Sequence, residues 1–173
     1  MHPLLSHHSV LALDRIAPRD ANVVLEHARA LQRAAQSGGL PASLRGRKFG
    51  LMCEVDSPGE GTAANDAALF RRAAVELGAH VAYVRPSLSA SSTPLDIQHT
   101  ARMLGRLYDA VECQGMPAGL VQQMGVDAGV PVYDGIASEN HPTAQLVGQL
   151  DGDSSLLDKR RFVLQAVLLS TVA

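Results

Sequence analysis

"KFGLMCEVDSPGEGTAANDAALFRRAAVELGAHVAYVR", Lys48 to Arg85, decides the fold. It opens on a short apolar run, Lys48–Val55, and passes through a polar loop with Gly59 and Gly61. It then takes up helical spacing, with Ala67, Phe70, Ala74 and Leu77 on one face and Gly78 at the end. A second apolar run follows at His80–Arg85. Short apolar runs closed by turn residues are the pattern of buried parallel strands. A helix between two of them makes a βαβ unit.

Working outward, two more runs of the same kind appear, "YDAVECQ" (Tyr108–Gln114) and "GVPVYDG" (Gly129–Gly135). Helical patterns separate them. "PLDIQHTARMLGRLY" groups Ile97, Ala101, Leu104 and Leu107, and "PAGLVQQMGVDAG" is a shorter helix. Upstream, "PRDANVVLEHARALQRAAQSGG" puts Val24, Ala28, Leu31 and Ala35 on one stripe, with Pro18 in the first turn and Gly38-Gly39 past the end. Downstream, "SSLLDKRRFVLQAVLLSTVA" reads as a long amphipathic helix after the polar turn "DGDSS", Asp151–Ser155. The alternation predicts an α/β fold: three αβα layers around a four-stranded parallel sheet, flanked by N- and C-terminal helices. There is no internal repeat.

The bulk numbers narrow the function. At 173 residues the chain has the length of one domain with a real core. A formal net charge of -2 argues against nucleic acid as partner, and 3% aromatic residues with no Trp argue against a base-stacking platform. No apolar run approaches a membrane span, and "MHPLLSHHSVLALDR" lacks the layout of a signal peptide. Cys53 and Cys113 are expected to be reduced thiols in a cytoplasmic protein. No cofactor is expected. No metal site is expected either, since His7-His8 and His2 have no second cluster of ligands nearby.

Parallel α/β sheets bind ligands beyond the carboxyl ends of their strands. Here those ends are Glu54–Thr62, Pro86–Thr93, Cys113–Met116 and Asp134–Thr143. The candidates for ligand binding in and beside them are Ser57, Thr62, Gln114, His141 and Gln145. The first loop precedes a helix, where phosphate often sits. Yet Glu54, Asp56, Glu60 and Asp66 crowd it, with no Lys or Arg before Arg71. These acids would repel a phosphate but suit a helix N-terminus without any ligand. His141, in "ENHPTAQ", can donate to a carbonyl oxygen or make ordinary loop hydrogen bonds. Arg71-Arg72 reads as a solvated helix face.

The stretches "LRGRKFGLM", "AAVELGAHVAYV", "TARMLGRLYDAVE", "AGVPVYDG" and "HPT", in that order and spacing, resemble the carbamoyltransferase family, and ornithine carbamoyltransferase in particular. The likeness covers the carbamoyl-phosphate domain from about Leu11 to Leu150. It implies a strand order of 2-1-3-4 and a homotrimer, with a mixed oligomer including a full-length carbamoyltransferase as an extension. "LDKRRFVLQAVLLSTVA" resembles the family's last helix, which crosses back onto the first domain. The resemblance thus implies one domain over residues 1–173. Its parts are a body at 1–150, a junction at 151–155 where the amino-acid-binding domain is missing, and a returning helix at 156–173.

Carried over residue by residue, the resemblance implies lost anchors. The family's Ser-Thr-Arg-Thr-Arg phosphate motif falls on Ala63, Ala64, Asn65, Asp66 and Ala67. Its Arg in a Tyr-Arg-Gly context falls on Gln114, and its His-Pro-Thr-Gln motif becomes His141, Pro142, Thr143 and Ala144, with Gln145 one place late. Each charge-assisted hydrogen bond contributes roughly 1.5–3 kcal/mol. Losing three arginines, even without full additivity, weakens phosphate binding by roughly a hundredfold or more. The expectation is a non-catalytic carbamoyltransferase-like protein with a binding or assembly role for a small molecule. One rival is a transferase completed by a partner chain, with Arg47, Lys48 or Arg102 as new cations. The other is a binding module for a neutral or cationic ligand, using Glu54, Asp56, Glu60 and Asp66.

Overall fold

The computed structural model describes residues 18–53, 62–85 and 87–172. Four parallel strands form one sheet: β1 (Lys48–Cys53), β2 (His80–Val84), β3 (Ala110–Gln114) and β4 (Val132–Asp134), in the order β2-β1-β3-β4. This is the order the resemblance implies. The helices are α1 (Pro18–Gln36), α2 (Thr62–Glu76), α3 (Pro94–Leu107), α4 (Ala118–Asp127) and α5 (Leu156–Val172), with a 3-10 segment at Pro142–Gln149. β3 and β4 are shorter than the apolar runs that mark them. Sequence shows the apolar run, whereas pairing with the neighbour strand fixes the ladder.

Side-chain alternation divides the core into two. On one face Phe49, Leu51, Ala110 and Tyr133 pack with α1, α2 and α5, through Phe70, Ala74, Val163 and Val167 among others. Phe70 meets Phe49 edge-on, with ring centroids 6.0 Å apart. On the other face Met52, Val111, Cys113 and Val132 pack with Ile97, Ala101 and Leu104 of α3 and with Leu120, Val121 and Met124 of α4. The three αβα layers are as expected.

Local signals explain the helix limits. Thr93 caps α3 in a capping box with Asp96, with Pro94 opening the first turn. Gly78, at φ 89°, lets the chain leave α2 and enter β2 within a few residues. Gly105 serves a different need: a Cβ there would stand 1.9 Å from the Ala128 carbonyl oxygen, so α3 and the end of α4 approach this closely only over glycine.

Three expectations about faces are corrected. Ala35 is exposed, and Leu25 and Gln32 are buried on α1 instead. Leu107, the last residue of α3, is 55% exposed. α5 is not amphipathic: from Phe162 nearly every residue is buried. It lies between α1 on one side and α2 with the 3-10 segment on the other. A helix packed all round has no solvent face to keep polar. Its polar groups find partners instead: Ser170 with His27 at 3.0 Å, Thr171 with Tyr133 at 2.5 Å, and Arg161 with Glu76 at 2.7 Å.

Candidate ligand-binding site

The carboxyl ends of β3 and β4 and the N-terminus of α2 open into a crevice of about 440 Å³. α2 brings Thr62, Ala63 and Asp66 to it; the end of β3 brings Gln114, and the end of β4 brings Asp134. Asn140 and His141 close the remaining side. The size is that of a small-molecule site.

Of the five candidates, three meet here: Thr62, Gln114 and His141. Gln145 does not. It is exposed on the 3-10 segment, one turn beyond the crevice wall. Ser57, with Glu54, Asp56 and Glu60, lies outside the described residues. The terminal His2, His7 and His8 do so too. Among the described residues no cluster of three His, Cys, Asp or Glu could hold a metal ion, and no helix is long and apolar enough to cross a membrane.

His141 caps the 3-10 segment. Its Nδ1 accepts the Thr143 backbone N–H at 3.2 Å and lies 2.8 Å from the Thr143 hydroxyl. An Nδ1 that accepts carries no proton, so the neutral ring holds its hydrogen on Nε2. Burial lowers the ring's pKa to about 4, which keeps it neutral at pH 7. Here the functional and the structural readings of this residue combine: one nitrogen caps, and the other remains a donor.

Asp66 changes the expected picture most. It is buried, not a free acid at the rim. Gln114 Nε2 donates to one of its oxygens at 3.3 Å, and Arg160 Nη2 donates to the other at 3.4 Å. Burial raises its carboxyl above the ordinary value, against the pull of Arg160. Arg160 reaches in from α5 and also donates to the Ala137 carbonyl and to Glu139, the latter at 3.2 Å. Its guanidinium is therefore tied behind the crevice wall. Sequence reading missed it, because "DKRR" carries no local sign that one arginine turns inward.

Two more acids stand at the crevice or beneath its wall. Asp134 is half-buried, and burial raises its carboxyl; no hydrogen bond to that carboxylate forms among the described residues. Glu112, in the middle of β3, is fully buried. Neither of its oxygens has a well-formed hydrogen bond among the described residues, and the Ile136 backbone N–H offers only a weak offset. Burial drives its carboxyl well above the usual range. Gln114 is 4% exposed, and its Oε1 has no partner among the described residues.

No Lys or Arg lines the crevice among the described residues. The expected replacements lie elsewhere. Arg47 and Lys48 precede and begin β1, at the opposite end of the sheet, and Arg47 pairs with Asp109 at 3.1 Å. A six-residue strand puts roughly 17 Å between those ends. Arg102 is on the outer face of α3, beside Met103 and Arg106. Arg71 and Arg72 are exposed as expected, Arg72 pairing with Glu76 at 2.9 Å. Cys113 is buried, and desolvation raises its thiol pKa, so it is no nucleophile.

A parallel α/β sheet with a crevice beyond its strand ends defines the doubly wound α/β class, in which ligand sites fall at that end of the sheet. A family model described as "Aspartate/ornithine carbamoyltransferase, carbamoyl-P binding domain" matches residues 8–150. The chain belongs to this family. It is 34% identical over 146 residues to ornithine carbamoyltransferase of Actinobacillus pleuropneumoniae serotype 5b, which spans 84% of this chain and 42% of that relative. With the catabolic ornithine carbamoyltransferase of Pseudomonas putida the identity is 32% over 142 residues, 82% of this chain and 40% of the relative. The chain thus spans about two fifths of the length of these curated relatives. Among solved structures, ornithine carbamoyltransferase from Pyrococcus furiosus superposes with a TM-score of 0.61 at 22% identity, covering 82% of this chain and 45% of that one. The Burkholderia thailandensis enzyme gives 0.63 at 19% identity, covering 83% and 47%. At these identities the structural likeness speaks for the fold.

Proposed function

We propose that this chain is a carbamoyltransferase-fold binding protein that no longer holds carbamoyl phosphate and is not catalytic by itself. The observation that carries this is the crevice lining: Asp66 and Asp134 are present, while no cation faces the space among the described residues. With an effective dielectric of about 20, one carboxylate about 6 Å from a doubly charged phosphoryl group costs roughly 5 kcal/mol. The Asp66 charge is offset by Arg160, but Asp134 has no such partner. The neutral donors on the wall, His141 Nε2 and the Thr62, Ser138 and Asn140 side chains, carry no charge to offset this and return about 1 kcal/mol each.

Calorimetric titration with carbamoyl phosphate tests this directly, together with a carbamoyl-transfer assay using ornithine. The expected result is no saturable heat into the millimolar range and no turnover. Micromolar binding would overturn the reading. Assembly as a homotrimer, or with a full-length carbamoyltransferase, belongs to the same proposal, as does a cytoplasmic setting. What supports assembly is the outer face of α3, where Leu95, Met103 and Leu107 are exposed.

A further inference from the structure

The proposed function leaves open what enters the crevice, and the polar groups on its wall have a common chemistry. Gln114 lines the space with a side chain 4% exposed, and its Oε1, buried beside Gly135 of the same wall, has no partner among the described residues. An orphaned buried acceptor costs free energy unless something satisfies it. The Asp134 carboxylate lines the same space and receives no hydrogen bond among the described residues. Asp66 adds a third set of acceptor lone pairs, only partly used by two long contacts of 3.3 and 3.4 Å.

The positive end of α2 borders this region, but the Asp66 carboxylate, one turn further along α2, lines the same space. The chain itself shows which donor suits Asp66: the guanidinium of Arg160 already approaches it from behind. A guanidinium is planar, carries donors in a fork, and can span a carboxylate and a neighbouring carbonyl oxygen at once. An ammonium is a point charge without that reach.

We infer that the crevice takes a small ligand bearing a guanidinium or amidinium group, held between the Asp134 carboxylate and Gln114 Oε1, with Asp66 behind them. This rests on the reading that the site does not serve carbamoyl phosphate. The same group can come from a free metabolite or from an arginine side chain of a polypeptide.

The test is calorimetric titration of the whole chain with N-butylguanidinium, n-butylammonium, the peptide acetyl-Gly-Arg-Gly-amide and carbamoyl phosphate. N-butylguanidinium is expected to bind one to one, at least tenfold more tightly than n-butylammonium. Asp134→Asn is expected to weaken it tenfold or more; this side chain has no internal partner to lose, so the fold is undisturbed. Gln114→Leu gives a second reading of the same contact, with circular dichroism confirming that it folds. Tighter binding of the peptide than of N-butylguanidinium assigns the group to a polypeptide, and the reverse assigns it to a metabolite; both uphold the inference. No saturable binding by either guanidinium probe overturns it, as does equal affinity for n-butylammonium or binding untouched by Asp134→Asn. Silence from all four probes removes the inference and leaves the proposed function standing. Carbamoyl phosphate binding removes the proposed function.

Discussion

Replacing Arg160 with methionine is the sharpest probe of how this crevice is held. Arg160 and Asp66 side chains are 14% and 6% exposed, so solvent screens their pairing little. Methionine keeps much of the volume and the packing against α5's neighbours, but removes the guanidinium. Three contacts go with it: Asp66, the Ala137 carbonyl and Glu139. Glu139 is 73% exposed on its side chain, and that contact contributes little. The cost lies in leaving Asp66 buried with only Gln114 as donor. Breaking a buried pair on one side costs about 3–5 kcal/mol. Urea unfolding, followed by circular dichroism at the helical minimum, measures this. With an m-value of about 2 kcal/mol/M, the midpoint falls by roughly 1.5–2.5 M at unchanged slope. The double variant Arg160→Met/Asp66→Asn removes both charges and keeps an acceptor for Gln114, so it is expected to recover most of the loss. A single-variant loss under about 1 kcal/mol, or a double variant no better than the sum of the singles, refutes the pairing as a determinant of this wall.

Two further outcomes follow from buried ionisable groups. His141 has a pKa lowered to about 4 in the fold against 6.5 unfolded, so the unfolded chain takes up the proton first as pH falls. Its contribution to stability is complete above pH 6.5 and falls by roughly 3 kcal/mol as pH drops to 4. Asp66, Asp134 and Glu112 have raised carboxyls and act with the opposite sign, so the readout is the difference between wild type and His141→Asn, which keeps a capping oxygen. That difference is expected to narrow between pH 6.5 and 4, and a pH-independent gap refutes the assignment. Glu112→Met replaces an unpartnered buried carboxyl in mid-strand with an apolar side chain of similar length. It is expected to raise stability by about 1–3 kcal/mol at pH 7, and a loss in urea unfolding would show that the carboxyl has a partner.

The layers were legible because they rest on periodicity and on the short βαβ spacing, and the strand order was legible through the family resemblance. Phe70, Ala74 and Leu77 are buried where their spacing puts them. What local spacing cannot show is a contact between distant segments. Arg160 and Asp66 are 94 residues apart, and nothing in either neighbourhood announces the pair. The same limit explains α5. Its pattern reads as one-sided, but α1 closes its second side, and that is a tertiary fact. His141 and Gln114 were legible through the family motif, whereas Gln145 shows that a one-place shift turns a side chain out of the crevice onto the exposed face of the 3-10 segment.

Among the described residues, the absence of a cation from the crevice wall is enforced by folding energetics and not by a choice of rotamer. Arg160 is the cation nearest the wall, 3.4 Å from Asp66, and so the one a bound anion would have to recruit among the described residues. Swinging the guanidinium forward would release the Ala137 carbonyl and leave Asp66 with one neutral donor. Unpairing Asp66 costs about 3–5 kcal/mol. A single charge-assisted hydrogen bond to a phosphate returns about 1.5–3 kcal/mol. The exchange is unfavourable even before the vacated Asp66 repels the incoming anion from the same wall. An anion therefore finds Arg160 already committed, whereas a donor-bearing ligand meets the half-exposed Asp134 carboxylate, which has no partner among the described residues. On the proposed reading, the ion pair that braces α5 against α2 also sets the sign of the ligand the crevice accepts.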